Sequence, residues 1–343
     1  MVQTRAITES FDLYPSAVNQ GGFGLNTVWT NLNGTASIVA GRFTGSQAIQ
    51  CYYNTQRVRV IPSTDSLVFG FAFMLNGTQS GGAPIVALRS SAGNVQWQLS
   101  VDQLFRLVLN LGYTSNANQI AYSDEAAIVL GTWHYIEVET FLHDSAGFIR
   151  VYVDGMPVAG LQYAGDTKAS TDLDFGQIVL RSGDSPSHYF DDFYLEVDGT
   201  TRVGEGRMDL YVPNSTVSST GFTPSTGSTI HGVIDEIPAN ATDWANATDA
   251  GSQFRVGLTD MVYAPEKIYG VQVEQLAQKT EAGTRTLRSK LFGLTSAVIG
   301  SERALTANVF TWNRDWFDKE PDNSEPWTLS SIVTAELGVE VVV

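Results

Sequence analysis

Cysteine is nearly absent: Cys51 stands alone in 343 residues. No internal disulfide can form, and for a chain of this size that points away from an oxidising compartment and toward assembly in a cytoplasm. Positive charge is scarce as well. Lys and Arg number 20 against 36 Asp and Glu, a net charge of −16, and no basic patch runs along the chain, which argues against nucleic acid as the main partner. No apolar run reaches the length of a membrane span, and Met1-Val2-Gln3-Thr4-Arg5-Ala6 lacks the apolar core of a signal peptide. The four histidines (His134, His143, His188, His231) have no metal-like spacing. Glycine-rich phosphate loops and Ser/His/Asp signatures are missing too. Cys51, between Gln50 and Tyr52, reads as a packed side chain rather than a nucleophile.

What is present is alternation. Ile136 and Val138 alternate with Glu137 and Glu139, and Ile149, Val151 and Val153 with Phe148, Arg150 and Tyr152. Period two predicts strands with one packed and one wet face. Asp154-Gly155 supplies the positive φ angles of a tight hairpin turn into Met156-Pro157-Val158. Phe190 and Phe193 are three apart while Phe193 and Leu195 are two apart. One extra residue at Asp191-Asp192 therefore predicts a β-bulge. Val68 to Leu75 is the strongest strand, with Phe69, Phe71, Phe73 and Leu75 on one face and Val68, Gly70, Ala72 and Met74 on the other, both covered. The length calls for two domains, 1–202 and 203–343, divided by a Ser-, Thr-, Gly- and Pro-rich stretch near 214–228. In the second, Val271/Val273, Leu287/Leu291 and Leu305/Ala307/Val309 alternate again. Thr328 caps a short helix over 329–336 that Gly338 would end. The fold class is thus all-β, two domains with one short helix.

The order Trp133-His134-Tyr135-Ile136-Glu137-Val138, Val151-Tyr152-Val153-Asp154-Gly155, Asp166-Thr167, Ile178-Val179-Leu180, Phe190-Asp191-Asp192-Phe193-Tyr194-Leu195 resembles the concanavalin A-like (laminin-G-like) jelly-roll family. The likeness is to the version carried by structural proteins of tailed bacteriophages. Upstream, Glu9-Ser10-Phe11-Asp12 and Ala40-Gly41-Arg42-Phe43-Thr44-Gly45 extend it over about residues 1–200. The second region, with Ile234-Asp235-Glu236-Ile237-Pro238, Ile268-Tyr269-Gly270-Val271-Gln272-Val273 and Glu320-Pro321 to Pro326-Trp327-Thr328, also resembles phage structural proteins; Asp243-Trp244-Ala245 departs from the family's Tyr-Val pair. The resemblance implies a non-enzymatic protein on a virion surface: capsid decoration, head fibre, or a tail or spike component. Its partners would be other virion proteins, its location the virion assembled in a bacterial cytoplasm, and residues 203–343 its assembly domain.

Two other classes stay open. A lectin-like module or receptor-binding protein would stack aromatics on host-surface glycans, and Trp29, Tyr113 and Tyr122, in polar surroundings, are its candidates. A glycoside hydrolase of this fold would need Glu-x-Asp-x-x-Glu. Glu137-Val138-Glu139 comes nearest, but Leu142 replaces the last carboxylate. Asp184, Asp191 and Asp192 are candidates for Ca2+, with capping of backbone donors at the bulge as the competing role for Asp191. Finally, Val339, Val341 and Val343, on a β-branched terminal strand guarded only by Glu340, predict either an exposed edge that pairs with another chain or a strand paired within its own domain; the resemblance to virion proteins implies the former, a homo-oligomer and first of all a trimer.

Overall fold

The computed structural model describes residues 4–16, 24–78, 81–113, 116–183, 187–199, 201–261 and 263–343. The chain packs as two units. The first comprises residues 1–12, 16–19 and 28–208; the second comprises 13–15, 20–27 and 209–343.

Among the described residues thirteen strands build the first unit: β1 (Thr4–Glu9), β2 (Thr30–Ala40), β3 (Gln47–Thr64), β4 (Ser66–Asn76), β5 (Ala83–Arg89), β6 (Val95–Val101), β7 (Leu107–Leu111), β8 (Gln119–Tyr122), β9 (Trp133–Phe141), β10 (Gly147–Val153), β11 (Met156–Gly165), β12 (Phe175–Arg181) and β13 (Ser187–Val197). Hydrogen bonding runs β11-β10-β9-β4-β13-β3-β12-β5-β6-β7-β8, every pairing antiparallel, with β1 on β13 and β2 on β3. This ribbon doubles over into two layers. The first holds β11, β10, β9, β4 and β13; the second holds β12, β5, β6, β7 and β8. Phe69 of β4 stacks on Trp97 of β6 across the gap, at 6.3 Å between ring centroids.

The 18-residue β3 belongs to both layers. Its first half pairs with β13 and its second with β12. At the changeover Asn54 has φ +57°, and Thr55 Oγ1 accepts from Tyr52 N at 3.1 Å. Composition hides this strand, because Asn54-Thr55-Gln56-Arg57 reads as loop.

The hairpin turn lies at Asp154-Gly155, with φ +51° and +78°. The register of β13 on β4 slips between Asp191 and Tyr194, which is the bulge. Phe69, Phe71, Phe73 and Leu75 are fully buried between the layers. On the opposite face Val68 and Ala72 pack with Tyr135 and Tyr194. Gly70 is required there: a Cβ would fall 2.6 Å from the Tyr194 ring.

One expectation fails on this outer face. Glu137 is not on a wet surface but only 1% exposed, because a strap of residues 202–208 crosses it. Glu137 accepts from Tyr194 Oη (2.6 Å), Arg202 Nη1 (2.8 Å) and Gly204 N (2.8 Å).

The second unit contains β14 (Pro213–Thr220), β15 (Phe222–Pro224), β16 (Ala245–Ala247), β17 (Gln253–Leu258), β18 (Val271–Ala277), β19 (Thr286–Phe292), β20 (Ala297–Ile299), β21 (Arg303–Ala304), β22 (Thr311–Phe317), α1 (Leu329–Val333) and β23 (Glu336–Val341). Its main sheet runs β14-β17-β23-β19-β20, with β21 also on β19. Phe254, Val256 and Val339 form one core with Ile230; Val273, Leu291, Phe317 and Trp327 form another. Tyr14, from the chain's other end, lies edge-on to Trp312 at 6.2 Å.

Three readings of this region need correction. The helix is shorter than the pattern suggested. Thr328 caps it with Ser331 as its reciprocal partner, but the chain leaves the helix at Thr334 and Glu336 already starts β23. Gly338 therefore ends no helix. It sits inside β23, where a Cβ would come within 2.8 Å of the Phe254 carbonyl. Of the stretch Leu305–Val309, no residue lies in a strand; Ala307 makes an isolated bridge to Lys279. Most consequentially, β23 is no edge. It pairs with β17 on one side and β19 on the other, so Val339 and Val341 are buried in their own unit, while Val343 lies past the strand, half exposed.

Candidate functional site

The three aromatics proposed for a glycan platform separate in the structure. Trp29 is completely buried; its ring meets Phe193 edge-on at 5.5 Å and its Nε1 donates to Glu9 at 3.4 Å. It is a core residue, and the polar sequence around it misled because its neighbours alone are exposed. Tyr122 ends β8 half exposed, with the Arg106 guanidinium 4.9 Å from its ring centre. Tyr113, just past β7, is 60% exposed.

Tyr113 stands on the rim of a cleft of about 540 Å³, within the size of small-ligand sites. Asn94 and Val95 of the β6 end, Leu111 to Tyr113, Ala117, Asn118 and Ile120 line it on one side. Lys168, Ala169 and Ser170, from the β11–β12 connection, line it on the other. Gln96 clasps that connection. Its Oε1 accepts from Ala169 N (3.2 Å) and Ser170 N (3.3 Å), and its Nε2 donates to the Asp172 carbonyl (3.2 Å). Lys168 turns away to an ion pair with Asp144 at 2.9 Å.

From the cleft the outer face of the second layer continues. Val58, Val179, Ala87, Gln98 and Asn110 lie side by side across five strands. Val58, Ala87, Val95 and Val179 make a small apolar floor, and Val95 belongs to both floor and cleft. Two arginines extend over it. Arg89 Nη2 donates to Gln56 Oε1 at 2.6 Å, and Arg181 Nη1 to Gln98 Oε1 at 2.6 Å. Arg89 is largely buried, Gln98 and Asn110 almost wholly, so this polar patch is recessed. Desolvation, and then the neighbouring charge of Arg89, hold the Arg181 guanidinium below its ordinary range; Tyr113 works in the other direction. An apolar floor with convergent guanidinium donors and amide acceptors and an exposed tyrosine at the rim suits a polyhydroxylated ligand.

Arg89, Gln98 and Arg181 escape a reading of the sequence, since they are far apart along the chain and only strand register unites them. One signal was available: Gln96, Gln98 and Ser100 alternate with the core residues Trp97, Leu99 and Val101, marking a polar face on a strand buried throughout.

The remaining chemical candidates among the described residues are engaged by contacts within the protein. Asp184 lies outside the described residues. Asp191 accepts from Arg42 N (2.9 Å) and from Asp192 N (2.8 Å), and Asp192 from Met208 N (2.8 Å) and Arg42 Nη1 (3.4 Å). Their oxygens thus face N–H donors and a cation, which does not fit a Ca2+ site. Among the described residues no group of three His, Cys, Asp or Glu side chains is placed to hold a metal. Glu139 takes Arg150 (3.5 Å) and Arg202 (3.7 Å), so neither member of the glutamate pair is free for sugar chemistry. Burial pushes the Cys51 thiol up to about 12, leaving no thiolate at neutral pH. His134 sits between Asp154 (2.8 Å) and Val129 N (3.0 Å). Burial lowers His188 to about 4.

The aspartate pair gives a pH dependence. Desolvation, and for Asp191 the charge of Asp192, raise the two carboxyls to apparent values of about 8 and about 6. A carboxyl raised in the folded state contributes stability that is complete below its unfolded value near 3.8 and is lost as pH rises through the folded one. Asp191→Asn, which keeps a carbonyl acceptor and removes the charge, is expected to stabilise the first unit by about 1–3 kcal/mol at alkaline pH. The gain should vanish near about pH 4, below the raised values. Calorimetric melts of both proteins at the two pH values check this; a constant difference would contradict it.

No family model matches the chain, and no curated protein matches it in sequence. Solved structures do resemble it. Cellulose-induced protein Cip1 is 16% identical over 53% of this chain and 95% of its own, with a TM-score of 0.39. The carbohydrate-binding module CBM66 from Bacillus subtilis is 17% identical over 53% and 99%, with a TM-score of 0.34. A carbohydrate esterase from the Shiga toxin-encoding bacteriophage phi24B is 13% identical over 56% and 99%, with a TM-score of 0.37. Likenesses this slight carry neither family nor function; the antiparallel β-sandwich is shown by the strand pairing itself.

Proposed function

We propose that the first unit is a glycan-binding sandwich, with its site in the cleft beside Tyr113 and on the recessed patch that continues from it. The observation that carries this reading is the convergence of an exposed aromatic ring, an apolar floor and the hydrogen-bonding groups of Gln56, Arg89, Gln98 and Arg181 on one face. The function is binding rather than hydrolysis, since Glu137 and Glu139 are committed to Tyr194, Arg150 and Arg202. The motif order of the chain supports placing it on the surface of a tailed-phage particle, with residues 203–343 serving assembly among other virion proteins.

A glycan array spanning neutral and acidic saccharides tests the binding reading. Tyr113→Ala is expected to weaken any hit about tenfold, the loss of one sugar–aromatic contact worth about 1–1.5 kcal/mol. An empty array, or a hit indifferent to Tyr113, would overturn the site. Mass spectrometry of purified particles tests the location.

A further inference from the structure

Resting on that reading, we infer that the site selects anionic saccharides, chains bearing carboxylate or sulfate groups, with Arg89 and Arg181 as the anion-recognising pair. The reason lies in how this acidic chain treats its other arginines. In the same unit Arg5 is answered by Glu196, Arg106 by Asp102, and Arg150 and Arg202 by Glu139. Arg89 and Arg181 instead face the amide oxygens of Gln56 and Gln98; among the described residues neither has a carboxylate partner. The Nε–H of each also lacks a hydrogen-bond partner there. Two guanidiniums close enough for one to disfavour the charge of the other, set in a recess over valines, are electrostatically incomplete.

Buried charge is tolerated when something supplies the counter-charge, and a planar guanidinium fork matches the two oxygens of a carboxylate or sulfate. The rim does not supply it. Asp172 is turned to Asn94 at 2.8 Å, and Asp174 to Ser63 at 2.8 Å and to Ser91. A ligand anion over the floor would replace the glutamine oxygens on the guanidiniums and leave Tyr113 to stack on the sugar ring. Neutral sugars offer nothing that discharges the pair.

The test compares each polymer with its own uncharged form: polygalacturonate against its methyl ester, and dextran sulfate against dextran, by titration calorimetry. At least a tenfold preference for one anionic polymer over its neutral form is expected, with the preferred member telling carboxylate from sulfate. Arg181→Gln is expected to lose about tenfold in affinity for it, near 1.4 kcal/mol; Arg181→Lys, which keeps the charge but not the fork, should fall between. Unchanged melting temperatures show that the variants fold, and if Arg181→Gln does not fold, Arg89→Gln gives the same reading. Equal affinity for charged and neutral forms, or an Arg181→Gln protein that binds the anion as tightly, would overturn the anionic selectivity while leaving glycan binding in place. A protein binding none of these polymers and no glycan on the array would overturn both.

Discussion

Removing Val339–Val343 is expected to unfold the second unit and leave the first intact. β23 lies between β17 and β19, and Val339 faces Phe254 on one side and Ser289 on the other. Its loss strips hydrogen bonds from both neighbours and exposes the core of Phe254, Val256 and Ile230. Burying a valine contributes about 1.5–3 kcal/mol. Two of them together with the broken ladders therefore match much of the 5–15 kcal/mol, roughly, that holds an ordinary domain. Beyond the strand, Thr286 N–Val343 O (3.2 Å) and Val342 N–Thr286 O (2.9 Å) go as well. Calorimetry should show one transition where the full chain shows two, with the surviving transition unmoved. A truncated protein that keeps both would refute the account of β23 as an internal strand. Oligomeric state is then a separate question for light scattering, since this segment is occupied within its own unit.

Glu137→Ala is expected to cost about 3 kcal/mol, the consequence of taking one partner from a buried, hydrogen-bonded charge cluster. Tyr194 Oη and Gly204 N lose their acceptor, and Arg202 is left with Glu139 as its carboxylate partner. For a unit of this size that corresponds to a fall in melting temperature of about 6–12 °C. The strap should loosen first, because Val203 and Met208 contribute only part-buried contacts to the cluster around Tyr135 and Tyr194. Limited trypsin digestion at Arg202 and Arg207 is the direct readout. Cleavage no faster than in the parent chain, with an unchanged melt, would show that Glu137 does not hold the strap.

What the sequence revealed was local. Asp154-Gly155 demands positive φ wherever it is placed, and the shifted spacing of Phe190, Phe193 and Leu195 records the bulge, so both were legible. The Phe69/Phe71/Phe73 row announced its own burial. What stayed hidden depends on neighbours. Val339-Glu340-Val341 reads the same at an edge as in the middle of a sheet, and only the partners β17 and β19 distinguish the two. Glu137 alternates as a solvent-facing residue should, until a strap from beyond residue 200 covers it. The site itself is a product of register: Gln56, Arg89, Gln98 and Arg181 come from four strands, and no spacing along the chain relates them.

The composition of the second unit also bears on how fast it forms. Tyr14 Oη accepts from Arg314 Nη2 at 2.9 Å across a separation of 300 residues, and Leu25, fully buried, belongs to the same unit. During synthesis these early residues emerge long before the strands they join, and Tyr14 cannot meet Trp312 until β22 has been made. Distant contacts slow folding because the loop must close before any contact compensates its entropy. The jelly roll, closed once Val197 pairs with Thr4, is therefore expected to form ahead of residues 209–343.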